Sequence, residues 1–328
     1  MTKLIILGTI MIIFFGYISL TRKSRTRQEN AYGNKDAIEI LKQENVPLLE
    51  KKLTSLEDDW AQRYFYASAM SRSFPQKKLE HWTANKPQSA EAHIVLGARL
   101  LQLAWTARGY GRGNEISDKN WQKFYELLEK TESALLKSAE LNNQDPTPWA
   151  LLVMVATYQQ EDTLQSTYFN EAIDRDPDNW IAHMHRLMGL TKKWGGSHEE
   201  MLTFARDTNL HAKEGSVLPI LILKAHLEIW KYHSMFEGDD DTAYAYLQNK
   251  KVREECEAAY KKSLGTHTYD ENTALFARYN ATAWLWLTKE RDPLAIELTH
   301  LHNRLRDIHW VWCGTEGDVS AAKKFANI

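Results

Sequence analysis

The sequence predicts an all-α protein, an array of helical hairpins that follows one N-terminal transmembrane helix. Three observations support this fold class. Apolar residues recur at three- and four-residue steps over most of the chain, which is the period of an amphipathic helix. No segment shows sustained two-residue alternation bounded by hairpin turns, so strands are not expected. Residues 4–20 form an uncharged apolar run that ends at a basic cluster.

The hairpin pattern is clearest between residues 149 and 177. The residues Trp149, Leu152, Phe169, Ala172 and Pro177 follow the spacing W-x2-L-x16-F-x2-A-x4-P. This spacing is typical of a tetratricopeptide repeat, a helix-turn-helix unit of about 34 residues. Such a unit buries its apolar face only by stacking on neighbours, and the stack presents a surface suited to binding another molecule.

The neighbouring segments have the character of further, divergent units. Residues 90–146 resemble an expanded repeat in which a glycine-rich loop separates the two helices, and a third unit begins at Trp180. Gln165 stands where the repeat normally has a small residue. An ordinary helical hairpin with a chance match to the spacing therefore remains the alternative.

Residues 1–21 are predicted to be a retained single-pass anchor. About 17–25 apolar residues span a bilayer as a helix, and no small-residue cleavage site follows the run at residues 4–20. The linker over residues 22–34 begins with the basic residues Arg22, Lys23, Arg25 and Arg27. The positive-inside rule then predicts a cytoplasmic domain on the bacterial inner membrane, with this cluster at the anionic lipid surface. Export of the domain, with Lys3 holding the N terminus inside, is the competing orientation.

The helical domain is predicted over residues 35–309. Its clearest helices are expected at 89–107, 119–141, 201–213, 252–264 and 272–288. Ser197 and Glu200 have the spacing of a capping box at the start of the third of these. Gly97 is expected to let a partner helix approach closely. The acidic residues 237–241 are interpreted as a solvated turn, and residues 310–328 as a C-terminal cap or tail.

Several motifs resemble those of an uncharacterised bacterial family of tetratricopeptide-like proteins with a domain of unknown function. The motifs are Ala104-Trp105-x-Ala107-Arg108-Gly109, then Trp121 with Phe124, then Ala172-Ile173-x3-Pro177, and finally Trp194-Gly195-Gly196-Ser197 with Phe204-Ala205-Arg206. The resemblance covers roughly residues 35–290 and implies an all-helical domain without an established activity. Lys192-Lys193 stand where the family pattern has an apolar residue and proline, which leaves the geometry of that turn open.

Composition and motifs favour binding over catalysis. The net charge of −2 gives no global basic field for nucleic acid. The chain has no motif for a nucleotide, a metal ion or a nucleophilic serine, so no cofactor, metal site or catalytic residue is predicted. The two cysteines, Cys256 and Cys313, are interpreted as reduced thiols, although a pair between them stays open.

The candidate binding residues are Trp105, Arg108, Tyr110, Arg112 and Trp194. Loops inserted in repeat arrays gather on one face, often the binding face, and aromatic and arginine residues are common binding anchors. The two arginines favour an acidic protein surface as partner. The alternative is that the tryptophans pack between helices and that Arg108 is a structural residue.

The sequence as a whole predicts a membrane-tethered protein-interaction scaffold or adaptor without catalytic activity. One alternative is an immunity-type protein that binds and neutralises a cognate bacterial toxin, since such a protein also needs a membrane address and a large binding face. An enzyme of unknown type is the third alternative.

Overall fold

The protein is all-helical over the residues that the structure, a computed structural model, describes. These are residues 34–56, 58–109, 111, 113–265, 271–302, 304–305 and 319–328, and none of them lies in a β-strand. The described α-helices are α1 Lys35–Gln43, α2 Val46–Thr54, α3 Trp60–Ser73, α4 Gln76–Asn85, α5 Ala90–Arg108, α6 Asp118–Leu141, α7 Thr147–Gln159, α8 Asp162–Arg175, α9 Trp180–Gly189, α10 His198–His211, α11 Ile220–Lys231, α12 Asp240–Gln248, α13 Lys250–Leu264, α14 Glu271–Thr288, α15 Arg291–Leu301 and α16 Val319–Ala326.

Side-chain caps begin many of the described helices, and residues with a left-handed backbone end several of them. Ser197 accepts a hydrogen bond from the Glu200 amide at 3.1 Å, and its hydroxyl donates to the Glu200 carboxylate at 2.9 Å. Ser197 is therefore the N-cap of α10, as predicted, but the Glu200 carboxylate bonds to the Ser197 hydroxyl and not to the Ser197 amide that a full capping box uses. At the other end of a helix, Gln160 adopts a φ of 62° and closes α7.

Consecutive helices pack as hairpins, and the odd-numbered helices form a continuous row. The most extensive contact joins α5 to α6, and α7 packs on both α6 and α8. Along the row, α3 contacts α5, α5 contacts α7, α7 contacts α9, α9 contacts α11 and α11 contacts α13. Each hairpin therefore buries its apolar side against the hairpins before and after it.

Helix α14 departs from this sequential order because it also contacts α3. Trp180, the first residue of α9, stacks on Phe276 of α14 with ring centroids 4.2 Å apart and meets Tyr64 of α3 edge-on at 6.4 Å. An aromatic contact thus ties the N-terminal hairpins to a helix more than 200 residues later in the chain. The short C-terminal helix α16 packs on α15.

The α5–α6 pair shows why a glycine stands at position 97. A Cβ atom added to Gly97 would lie 2.6 Å from Cδ2 of Leu135, which confirms the close helix approach expected there. A glycine in a neighbouring helix also explains the large residue at position 165. Gln165 donates to the Thr157 hydroxyl at 2.6 Å, and a Cβ at Gly189 would lie 2.0 Å from Nε2 of Gln165. The space for this divergent side chain comes from the glycine in the next unit.

Within the described residues, no helix combines the length and apolar character that crossing a bilayer requires. The predicted anchor at residues 1–21 and the basic residues Arg22, Lys23, Arg25 and Arg27 lie outside the described residues. Cys313 does too, whereas Cys256 is a buried free thiol whose pKa is raised by burial.

Candidate functional site

The structure brings Trp105 and Trp194 into one aromatic cluster. The Trp105 ring meets Tyr158 edge-on at 4.9 Å, Phe124 at 5.7 Å and Trp194 at 6.1 Å, measured between ring centroids. Tyr158 in turn lies 5.2 Å from Trp194. We call Trp105, Phe124, Tyr158 and Trp194 the aromatic cluster. It joins α5, α6 and α7 to the turn that precedes α10.

The cluster is largely withdrawn from solvent. Burial raises the pKa of the Tyr158 hydroxyl. Phe124 and Tyr158 are buried, while Trp105 and Trp194 are only partly exposed. Most of the aromatic surface that the sequence suggested for binding is therefore used in packing these helices together.

Arg108 hydrogen-bonds to the backbone of the glycine-rich loop that follows α5. Its Nη1 donates to the carbonyl of Gly109 at 3.0 Å and to the carbonyl of Gly111 at 3.2 Å. The guanidinium also lies over the Trp121 ring at 4.7 Å, and burial lowers the Arg108 pKa. The side chain is 9% exposed, so it offers little surface to a partner. Tyr110 and Arg112 lie outside the described residues.

We expect Arg108→Ala to lower the free energy of unfolding by about 2 kcal/mol, because it removes two hydrogen bonds to carbonyls and a cation–π contact. Urea unfolding of the full chain, followed by tryptophan fluorescence, measures this change. Arg291→Ala, at an exposed position of α15, serves as the matched arginine substitution away from the loop. An unchanged unfolding midpoint for Arg108→Ala would show that the guanidinium contributes to a binding surface instead of the fold.

The Trp194-Gly195-Gly196-Ser197 turn uses the two lysines that precede it. Lys192–Trp194 form a single turn of 3-10 helix, and Gly195 adopts a φ of 99°. The Lys193 ammonium donates to the buried Glu228 carboxylate at 2.9 Å, and the Lys192 ammonium lies 4.5 Å over the Tyr232 ring. Both lysines therefore dock the turn on α11 and on the segment just after it.

A surface groove lies beside the aromatic cluster, between α4, α5 and α6, with a volume of about 1000 Å³. Its floor is apolar and consists of Leu96, Leu100, Leu103, Ala107, Leu127 and Ala134. The four α5 residues in this floor follow four-, three- and four-residue steps, so they form one stripe along the helix. Leu96 and Leu103 are only partly buried within the protein.

One edge of the groove is a row of lysines. Lys123, Lys130 and Lys137 line it from α6 at seven-residue intervals, which places them on one side of that helix. One acidic residue, Glu129, lines the groove from the same helix. Lys123 and Lys137 also reach Glu126 and Glu140 on their own helix. Among the described residues, no carboxylate lies within 4.0 Å of the Lys130 ammonium. We call these three residues the lysine edge.

The opposite edge carries no cationic row. It is lined from α4 by Gln76, Glu80 and Thr83, and His93 lies at the start of α5. The groove follows α5 from His93 to Ala107, which is about 21 Å at 1.5 Å per residue. An elongated, apolar and asymmetrically charged groove of this length matches about four turns of an amphipathic helix.

This groove was not predicted from the sequence, although its signals are present there. The leucine stripe on α5 and the heptad spacing of the lysines on α6 are both legible in the sequence. Placing them on facing sides of one depression requires the α5–α6 packing and the position of α4. Neither follows from local pattern.

The histidines are used within the fold where the structure describes them in detail. His183 Nδ1 lies 2.9 Å from the Asn179 carbonyl, and His185 Nδ1 lies 2.7 Å from the Ala150 carbonyl. Burial lowers the His185 pKa to about 4, so this side chain is neutral near pH 7. Across the described part of the chain, no group of three or more histidine, cysteine or acidic side chains is arranged to hold a metal ion.

Comparison of the chain with family models, with curated proteins and with solved structures yields no match. The function of the protein is therefore inferred from the groove and its lysine edge.

Proposed function

We propose that this protein is a membrane-tethered protein-interaction scaffold, without catalytic activity, whose groove binds an acidic amphipathic segment of another protein molecule. The observation that carries this proposal is the groove between α4, α5 and α6. A partly exposed leucine stripe there lies beside a row of three lysines, of which Lys130 has no carboxylate within 4.0 Å among the described residues. A helix-in-groove complex uses the same two features, an apolar stripe for affinity and charge for orientation.

The helix packing supports the scaffold. The odd-numbered helices from α3 to α13 form a row, and several of them pair with the next helix as a hairpin. This arrangement is the one expected of a tetratricopeptide-like solenoid. The return of α14 to α3 would make this an array closed on one side instead of an open superhelix. The tether in the proposal comes from the apolar run at residues 4–20, and the basic cluster after it favours a cytoplasmic domain.

The two edges of the groove determine the charge of the occupant. An acidic side chain placed along α6 meets three lysines and one glutamate, Glu129, and the Lys130 ammonium has no carboxylate within salt-bridge distance among the described residues. The same side chain placed along α4 would meet Glu80. Like charges facing each other disfavour that orientation, so the groove selects both the sign of the partner's charge and the direction in which its polar face points.

A peptide library tests this proposal with the full chain in lipid nanodiscs. The library holds helical peptides with a fixed leucine stripe whose flanking positions vary among Glu, Lys and Ser. We expect the protein to enrich Glu over Lys. Lys130→Glu should shift that preference toward Lys, and Leu103→Glu should weaken binding of the selected peptides about tenfold or more, because it places a carboxylate on the apolar floor.

Two substitutions provide matched controls outside the groove. Leu210→Glu places a carboxylate at an apolar residue that is 75% exposed, and Lys250→Glu reverses a lysine whose side chain is 85% exposed. Both should leave peptide binding unchanged. If Leu103→Glu binds the selected peptides as tightly as these controls do, the groove is not the binding surface and the proposal fails.

A further inference from the structure

A second exposed apolar surface lies far along the chain, where α11 ends. Residues Tyr232–Glu237 form a π-helical turn, and Asp240 then begins α12. Met235 is 48% exposed, Phe236 is 52% exposed and Tyr244 is 47% exposed. We call residues 232–244 the acidic tip. Three large apolar side chains are thus left in solvent within a segment of 13 residues.

The acidic tip is held in a defined shape. Phe236 stacks on Tyr232 with ring centroids 5.3 Å apart and an interplanar angle of 7°. The Ser234 hydroxyl donates to the Asp240 carboxylate at 2.6 Å, and Asp239 caps α12 by accepting from the Thr242 amide at 2.9 Å. Because these contacts already order the tip, little conformational entropy remains to be lost when another surface covers it.

The charge of the acidic tip is opposite in sign to the charge of the lysine edge. The side chains of Glu237, Asp239, Asp240 and Asp241 are all exposed. Glu237 is partly neutralised by Lys192, whose ammonium lies 3.9 Å from its carboxylate, and His233 Nδ1 lies 2.6 Å from the same carboxylate. The three aspartates form no ion pair within 4.0 Å with any described residue. The tip therefore presents apolar side chains next to a net negative charge, which is the chemistry that the groove is built to accept.

We propose that the acidic tip of one copy of this chain inserts into the groove of a second copy. This inference rests on the proposed function, since it requires the groove to be a binding surface. Met235 and Phe236 would cover the leucine stripe, and the aspartates would face the lysine edge. The tip of a copy remains exposed in its own fold, so it is available to a neighbour.

The contact is head to tail, because tip and groove are different surfaces of the same chain. Such a heterologous contact leaves one free groove and one free tip at the ends of every open assembly. Copies held together in this way cover each other's grooves, and another acidic amphipathic segment would have to displace a tip in order to bind. Self-association would therefore lower the affinity of the groove for other partners as the density of the chain rises.

Site-directed crosslinking between full-length copies in membranes tests this inference. One copy carries Ser133→Cys, at an exposed position of the groove, and the other carries Met235→Cys, in the tip. Both have Cys313→Ser, while Cys256 is buried and therefore protected. A short bismaleimide should join the groove copy to the tip copy. Pairs of two groove copies or two tip copies should yield no product.

Charge reversal checks that the crosslink reports the proposed contact. Lys130→Glu in the groove copy should lower the yield about tenfold, and Asp241→Lys in the tip copy should restore part of it. A copy with Lys250→Cys, at a highly exposed position outside the groove, should not crosslink to the tip copy. Equal yields from Lys250→Cys and Ser133→Cys would overturn the inference.

The crosslinking result and the peptide library result separate the two proposals. If the groove binds acidic amphipathic peptides but no groove-to-tip product forms, self-association is wrong and the proposed function stands. If neither is observed, the groove itself is not an interaction surface. If the product forms and survives Lys130→Glu unchanged, the copies meet through other residues and the inference fails.

Discussion

Replacing Arg63 by methionine is expected to lower the free energy of unfolding by about 3–5 kcal/mol. Arg63 is 1% exposed. Its Nε donates to Asp145 at 2.5 Å, Nη1 to the Leu53 carbonyl at 2.7 Å and Nη2 to Glu91 at 3.1 Å. Burial alone would lower the Arg63 pKa, but the charges of Asp145 and Glu91 and their hydrogen bonds raise it above its ordinary value.

The cost arises mainly from the partner that is left behind. Asp145 is fully buried in the loop between α6 and α7, and without Arg63 its carboxylate keeps only the Thr147 amide, at 2.8 Å, among the hydrogen bonds described for it. A buried carboxylate without a counter-charge is costly, whereas removing both charges costs less. We therefore expect Arg63→Met with Asp145→Asn to lose less stability than the two single variants added together.

Denaturant unfolding of the full chain measures these free energies, and Lys261→Met is the control. Lys261 pairs with Glu257 on the same helix, and the two side chains are 70% and 55% exposed. Its removal should cost about 1 kcal/mol or less. A loss of similar size for Arg63→Met would mean that water reaches the Asp145 carboxylate. The contacts of Arg63 with Asp145, Glu91 and the Leu53 carbonyl would then not hold α2, α3 and α5 to the α6–α7 loop.

Local sequence patterns predicted much of the helical fold. Ser197 with Glu200, Pro177 after α8 and Gly97 opposite Leu135 all act through neighbours in sequence or through one close helix contact. Such signals depend on backbone geometry within a few residues, so they can be recognised without knowing the rest of the fold. The bounds predicted for the helices at 252–264 and 272–288 likewise agree with those of α13 and α14 to within two residues.

The turn assigned to residues 237–241 shows where local pattern was insufficient. Only Gly238 and Asp239 form the turn, whereas Asp240 and Asp241 already begin α12, a helix that the sequence analysis did not predict. The acidic residues were interpreted as a solvated loop, but they occupy the first turn of a helix, where negative charge is favourable. The Asp239 cap three residues before Thr242 was the available signal.

The groove and the buried ion pair of Arg63 with Asp145 required long-range information. Arg63 and Asp145 are 82 residues apart in sequence, and nothing local marks either as buried. Arg108 and Trp105 were selected for the residue types that binding sites favour, and the same types also hold helices and loops together. Their burial, which the sequence does not show, distinguishes the two roles.

Gly196→Ala is the second substitution expected to have a large effect, lowering the free energy of unfolding by about 3 kcal/mol. A Cβ atom at position 196 would lie 2.2 Å from the carbonyl oxygen of Leu190 and 2.6 Å from its carbonyl carbon. Both are backbone atoms at the end of α9, so no side chain can rotate to make room. The turn must move instead, and with it Trp194 in the aromatic cluster and Lys193 at the buried Glu228.

The adjacent glycine provides the matched control, because it is required for a different reason. Gly195 has a φ of 99°, and a Cβ built there meets nothing within 4 Å. Gly195→Ala should therefore cost only the strain of a left-handed residue, about 1–2 kcal/mol, and Gly195→Asn should cost less.

Near-ultraviolet circular dichroism with urea unfolding distinguishes the two positions. Gly196→Ala should change the tryptophan signal of the folded protein as well as its stability, because the strain is relieved by displacing the Trp194 turn. If Gly196→Ala proves no more destabilising than Gly195→Ala, with an unchanged aromatic spectrum, the turn is not packed against the end of α9 as tightly as the structure indicates.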